Sequence, residues 1–241
     1  MQRIALMLSH KSIIAMMLAL GAGLIFLGMT APWWVWMLVP LGVGMQMINE
    51  YALHRFIFHL PPPRRQWAFD LLYQAHYGHH DFPTNKGLFF VPIWIALPVL
   101  ALNLSFVYIA LATAGLPLPL QIAVATVVVG GVLTFLGYEW FHMTAHLTVP
   151  KTQIERHVTT LHNQHHFRDF GRWFHVSPGG EIIDRAFGTA IDRDALKTQQ
   201  RIEFIRTLGL SPDDPRLVSA RRKFAAKYAL RQDEIDRSAT V

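Results

Sequence analysis

The stretch His76-Tyr77-Gly78-His79-His80 is an HxxHH box, and 86 residues further on the chain repeats it as His162-Asn163-Gln164-His165-His166. What lies between the copies decides the fold. Residues 87–114 and 119–138 are apolar runs, each near or above the roughly 20 residues that cross a bilayer. The Gly115-Leu116-Pro117-Leu118 break between them is uncharged. Two successive spans return the chain to the face it left, so both boxes belong to one side of a membrane. Further out, residues 12–29 and 33–47 form a second apolar pair around Thr30-Ala31-Pro32. The predicted architecture is all-α and integral to the membrane: four transmembrane helices in two hairpins beneath a helical cap that carries the histidines. Pro92 and Pro98 are expected to kink the third span.

Composition agrees. The 241 residues are 52% hydrophobic and 16% charged, with a mean hydropathy of +0.26, outside the usual soluble range. There is no cysteine, which excludes disulfides, Cys-ligated zinc, iron–sulfur clusters and thiolate-ligated haem. The net charge is +6, but residues 151–241 hold 16 of the 22 Lys and Arg and 12 of the 16 Asp and Glu. Mixed signs without a binding motif describe a solvated face, not a nucleic-acid surface. Both inter-span turns are uncharged, whereas Arg3, Lys11, Arg55, Arg64, Arg65 and Lys86 lie on the other side. The positive-inside rule makes that side cytosolic, with both termini and every box. Arg3 and Lys11 ahead of an apolar run also fit a cleaved signal peptide, but cleavage would leave the closed pair and its flanks on one face. The single domain then divides into a first hairpin (12–47), two boxes (48–86), a second hairpin (87–138), two more boxes (139–189) and a charged tail (190–241). In the tail, Ser211-Pro212-Asp213-Asp214-Pro215 separates two expected helices lying on the membrane surface.

Ten of the 13 histidines fall in four boxes: His54 and His59; His76, His79 and His80; His142 and His146; His162, His165 and His166. Residues three and four apart share a helix face, so the last three boxes are each expected to converge. His54 and His59 are five apart, which points to a helix end or a bulge. Ten imidazoles exceed the four to six ligands of one ion, so two ions are the natural count. Imidazole suits zinc, copper, nickel and iron alike. Glu50, Asp81, Glu139 and Asp169 are placed to orient imidazole N–H groups, His157 and His175 are possible outer partners, and His10 stands apart. There is no HExxH, so a zincin protease lacks its general base. A bis-histidine haem protein needs histidines within its spans, and the spans as read contain none. Phe56, Phe58, Phe82, Trp140, Phe141 and Phe167 are candidates for an apolar wall that keeps water from the centre.

Through EYALHRFIFH (50–59), HYGHHDFP (76–83), YEWFHMTAH (138–146), LHNQHHFRDF (161–170) and IDRAFGT (183–189), the chain resembles the fatty acid hydroxylase and sterol desaturase superfamily, most closely its fatty acid 2-hydroxylase branch. The resemblance implies a four-helix anchor with a cytosolic cap and a di-metal centre, assumed di-iron, held by the ten boxed histidines. Zinc can occupy such a centre in isolated protein. The implied reaction is O2-dependent insertion of oxygen into a lipid C–H bond, with no catalytic side chain beyond the metal centre. Electrons would come from a separate cytochrome b5-like or ferredoxin-like donor, since no cytochrome b5 domain is fused here. The branch favours a fatty acyl chain and the carbon next to its carboxyl or amide. His175 stands where such sequences commonly carry a small residue, and Gly179-Gly180 looks like a short insertion. Within the superfamily, a lipid head group, a sterol or a carotenoid is the alternative substrate. From another class, a histidine-rich metal transporter needs polar groups inside the spans, which offer little beyond Gln46, Asn49, Asn103 and Ser105.

Overall fold

The computed structural model describes residues 2–239, so both chain ends assigned to the cytosol above, Met1 and Val241, lie outside the described residues. All regular elements among those described are helical. The chain forms two compact units, residues 1–190 and 191–241.

In the first unit, α1 (Gln2–Leu8) leads into α2 (Lys11–Thr30), which ends where Ala31 turns extended ahead of Pro32. Three helices are long and apolar enough to cross a membrane: Lys11–Thr30, Lys86–Thr113 and Pro119–His146. The second sequence stretch is not among them. It breaks after the short α3 (Trp33–Trp36) and restarts as α4 (Val39–Leu53) with Pro40 in its first turn, a position that tolerates proline but disfavours helix before it. α4 then outruns the predicted limit at residue 47 and continues as a π-helical turn, His54–Phe58.

α7 (Ile93–Thr113) differs from expectation at its start. Lys86–Leu88 is a separate 3-10 turn and Pro92 is the residue that begins the helix, so it kinks nothing, while Pro98 lies inside α7 without ending it. Gly115 at φ 69° and Leu118 at φ 54° make the tight return. The last span is α8 (Pro119–Ala123), a π-helical segment Val124–Gly131 and α9 (Val132–His146). All eight π-segment residues are buried, because α4 lies directly on them. A Cβ on Gly42 would fall 2.1 Å from the Thr126 carbonyl oxygen, and one on Gly130 2.4 Å from that of Val39. Small residues at such a crossing let two backbones approach where hydrocarbon provides no hydrophobic drive.

The other helical elements of this unit are α5 (Gln66–Leu72), a second π-turn Tyr73–Tyr77, α6 (Gly78–Asp81), α10 (Gln153–Phe167) and α11 (Glu181–Ala186). Thr152 and Glu155 close a capping box on α10. Glu155 also accepts from Arg3 at 2.8 Å and from Trp140 Nε1 at 3.1 Å, tying α1, α9 and α10 together. His10, set apart by its spacing, bonds Ser12. The second unit contains α12 (Arg193–Thr207), α13 (Pro215–Phe224) and α14 (Gln232–Ala239). Asp192 and Asp214 cap the first two, and α14 is a helix beyond the two expected in the tail.

Candidate metal centre

The first box explains its own spacing. Its π-turn bonds His59 N to His54 O at 3.1 Å, the i to i+5 pattern of a π-helix, so residues five apart lie on one face. The sequence left a helix end or a bulge open, and the π-turn is the bulge.

The triplets behave differently from the expected convergence. Across the described residues the ligand nitrogens gather into two groups, His54, His59, His76, His80 and His165, and His79, His142, His146, His162 and His166. Within each group one nitrogen per residue lies within 4.8 Å of all the others. Each HxxHH box therefore splits, its first and last members joining their own half of the chain and its middle member crossing over. On an α-helix, residues i+3 and i+4 flank residue i by about 60° and 40° on opposite sides. A box placed between two groups thus serves both.

The Nε2 atoms of His54 and His59 are each 3.1 Å from that of His76, which is 2.8 Å from that of His80. In the second group His142 and His79 approach to 2.9 Å, and His146 and His162 to 2.8 Å. Nitrogens bound at about 2.1 Å to a shared ion at right angles lie about 3.0 Å apart, so these spacings fit adjacent positions around a metal. Both ring nitrogens of His166 are buried without a partner, as are Nδ1 of His79, His80 and His162, whereas buried polar atoms ordinarily have one.

Three backbone carbonyls aim the rings. His54 Nδ1 donates to Phe174 O, His142 Nδ1 to Phe89 O at 2.7 Å and His165 Nδ1 to Arg172 O at 2.7 Å. Each bond fixes the tautomer and turns Nε2 inward. Of the carboxylates expected to orient imidazoles, Glu50 and Glu139 act one step away, on the backbone. Glu50 accepts from the N–H of Val176 and Ser177, holding the loop that presents Phe174 O. Glu139 accepts from Val91 N at 2.9 Å, two residues beyond Phe89. Asp169 caps Gly171 N and pairs with Arg172. Asp81 receives the Tyr73 hydroxyl at an exposed position. His157 pairs with Glu181.

The sequence did not single out Asp184. It is fully buried and accepts from Phe174 N, His175 N, His175 Nδ1 and Thr189 Oγ1 at 2.7–3.2 Å. Its signal was present in the IDRAFGT motif, unread because an aspartate on a short polar segment looks solvated. His175 Nε2 reaches Met47 O at 2.7 Å. A Cβ on Gly180 would lie 2.4 Å from the His175 ring, so the histidine and the adjoining glycine fit together.

Burial holds the clustered rings neutral, and neighbouring imidazoles add to it. His59 is lowered to about 3 and His165 to about 4, while His54, His76, His79 and His162 fall well below 6.5. Metal binding requires neutral imidazole. His175 is opposite: burial lowers it, but the bond to Asp184, the Glu50 charge and the Met47 carbonyl together raise it.

The aromatic wall is also largely made of other residues. Phe56, Phe82 and Phe167 are more than half exposed, and Trp140 serves Glu155. Phe141 packs in the interhelical core. Phe58 does stack on His76, joined by Phe174 against His54 and His165, Phe89 on His146 and Tyr138 on His142. The α9 helix runs eight residues past the predicted limit, which places His142 and His146 at the end of a span. A pocket lined by Leu53, His54, Phe58 and Tyr138 opens beside the first group.

The fatty acid hydroxylase family model matches residues 38–189. The chain belongs to the fatty acid hydroxylase family. It is 29% identical over 173 residues to a dihydroceramide fatty acyl 2-hydroxylase of Arabidopsis thaliana, covering 67% of this chain and 63% of that protein. It is 30% identical over 168 residues to the fatty acid 2-hydroxylase of Macaca fascicularis, covering 67% and 42%. Among solved structures it is similar to full-length scs7p, of which only the hydroxylase domain is visible, with a TM-score of 0.60 and 25% identity over 74% of this chain and 63% of that one. The chain thus spans less than two thirds of the length of these curated relatives.

Proposed function

We propose that this family member is a membrane-bound lipid hydroxylase acting on a fatty acyl chain, with the ten boxed histidines holding two metal ions. The convergence of ten imidazoles into two five-membered groups carries the reading. Iron is the metal whose chemistry matches, and when bound it supplies the activation of O2 that attack on an unactivated C–H bond requires. The chain's own residues do the rest. Depressed basicity keeps the imidazoles available as ligands, Phe174, Phe89 and Arg172 carbonyls aim them, and Phe58, Phe174 and Phe89 exclude water. The cavity beside His54 receives the hydrocarbon chain from the bilayer side. In this reading residues 12–47 and 87–138 form two membrane hairpins with the centre and the termini on the cytosolic side. Residues 48–86 and 139–189 form the cap, residues 190–241 lie along the membrane surface, and electrons arrive from a separate donor protein.

The test is single and direct. Purified protein loaded with iron, given a chemical reductant, a long-chain fatty acid or ceramide and isotopically labelled O2, should place label in a hydroxylated lipid. Product formed without O2, or carrying oxygen from water, would mean a hydrolytic centre instead.

A further inference from the structure

Two more pockets, which share lining residues with the one beside His54, lie between α4, α7 and the π-segment. Gln46 lines all three, and Asn49 and Asn103 line both of the deeper two. The rest of these walls is mainly aliphatic and aromatic, including Met16, Leu100, Phe106 and Phe135. Three carboxamides therefore face one otherwise oily space.

A carboxamide brings two N–H donors and an acceptor oxygen. The one bond that these three make is Asn49 Nδ2 to Gln46 Oε1 at a long 3.3 Å, so Asn103 has no partner among the described residues. Residue 103 is the midpoint of α7, about 15 Å from either end of that helix, beyond the reach of interfacial water if α7 spans the bilayer. Polar side chains at that depth face a protein interior or a ligand and mark a functional path. Gln46 Oε1 lies 3.9 Å from the position of a Cβ on Gly131, placing it toward the π-segment and across the cavity. A smooth hydrocarbon tail offers no partner to the carboxamide donors left over from that one bond.

Resting on the hydroxylase reading, we propose that Gln46, Asn49 and Asn103 form a hydrogen-bonding subsite for a hydroxyl or keto group carried partway along the substrate's hydrocarbon chain. Gln46 is eight residues before His54, so the subsite lies about 12 Å down α4 from the histidines. The polar group is thus well removed from the carbon that is oxidised. The favoured substrate is a chain already oxygenated at an interior position, and a reaction that oxygenates the chain there must precede this one.

The full chain in phospholipid nanodiscs would be titrated with stearic acid and with analogues bearing a mid-chain hydroxyl or keto group, binding being read by displacement of a fluorescent fatty acid. One net hydrogen bond corresponds to a preference of about threefold to tenfold for the oxygenated chains. In Asn103→Leu and Gln46→Leu the ratio should collapse toward one, with metal content checked by elemental analysis to establish that the fold survives. Equal affinities in the unmodified protein overturn the assignment whatever the variants do, and so does a preference that persists in folded leucine variants. Displacement needs no turnover. A protein that discriminates these ligands but hydroxylates none would remove the hydroxylase reading and leave the subsite.

Discussion

Replacing Asp184 by alanine should dismantle one metal group and spare the other. The carboxylate is fully buried and takes the backbone N–H of Phe174 at 2.9 Å and of His175 at 3.1 Å. Alanine strands both donors. At about 1–3 kcal/mol for each buried group left unpaired, these two backbone donors alone cost about 2–6 kcal/mol, and the His175 Nδ1 bond is lost besides. The damage is local in a particular way, because Phe174 also supplies the carbonyl that orients His54. Once the 173–177 loop loosens, the first five-histidine group loses the bond that aims His54. The second is aimed by Phe89 O, on a segment tied through Val91 to Glu139, and nothing in that chain of bonds passes through Asp184. Asp184→Asn keeps an acceptor oxygen and should lose less. Elemental analysis on iron-loaded protein, with melting followed in detergent, should show close to two ions per chain in the unmodified protein and close to one in Asp184→Ala. Two retained ions with unchanged melting would refute the positioning role. Loss of both ions from a variant that still melts cooperatively would refute the independence of the two supports.

The crossing of α4 and the π-segment predicts that Gly130→Val, whose Cβ falls 2.4 Å from the Val39 carbonyl oxygen, destabilises by about 1–3 kcal/mol. Gly137→Ala, with nothing within 4 Å, should be neutral or better by melting in the same detergent. In metal-free protein the cluster sets the pH profile: His59 and His165 sit at about 3 and 4 against 6.5 unfolded. Above that value they contribute no slope; as pH falls below about 6.5 the unfolded chain takes protons that the folded one refuses. Stability should then drop by up to about 1.4 kcal/mol per pH unit for each such histidine, until the folded values are passed. Melting temperatures that rise on acidification would contradict this. For topology, single cysteines at Ala31 and Leu118 should react with an impermeant thiol reagent outside intact cells and one at Arg65 should not; labelling at Arg65 would invert the membrane assignment.

The sequence carried the helical class and the ten histidines that cluster, though not their division into two groups, because box spacing and apolar run length are local properties. It carried the first box as well, since five-residue spacing admits few helical geometries. The convergence of His76 with His79 was misread for a physical reason. Residues i and i+3 share a face on an isolated helix, but a helix wedged between two centres presents i+3 to one and i+4 to the other. The carbonyls of Phe174, Phe89 and Arg172 have no signature in the sequence because backbone acceptors have no residue type, and Glu139 and Glu50, which hold two of their segments, act at separations of 48 to 127 residues. Phe56 and Phe167 were misplaced by proximity in sequence alone. Each neighbours or nearly neighbours a clustered histidine, and Phe167 touches the His166 ring, yet both side chains are more than half exposed and enclose nothing.

The split boxes give the repetition its reason. If each half of the chain held its own ion, the two centres could drift apart, since few covalent or packing constraints would set their spacing. Instead His79 leaves the first half to join His142, His146, His162 and His166, and His165 leaves the second to join His54, His59, His76 and His80. Adjacent residues in one box thus belong to different centres, so the separation between centres is set by neighbouring positions on a helix and cannot vary independently of it. His80 and His166, one from each group, stack with ring centroids 4.1 Å apart, one of the contacts through which the two groups meet. Two ions acting together on one substrate, as proposed above, would need a fixed separation. A pair of HxxHH boxes exchanging their middle members would supply it from these ten side chains.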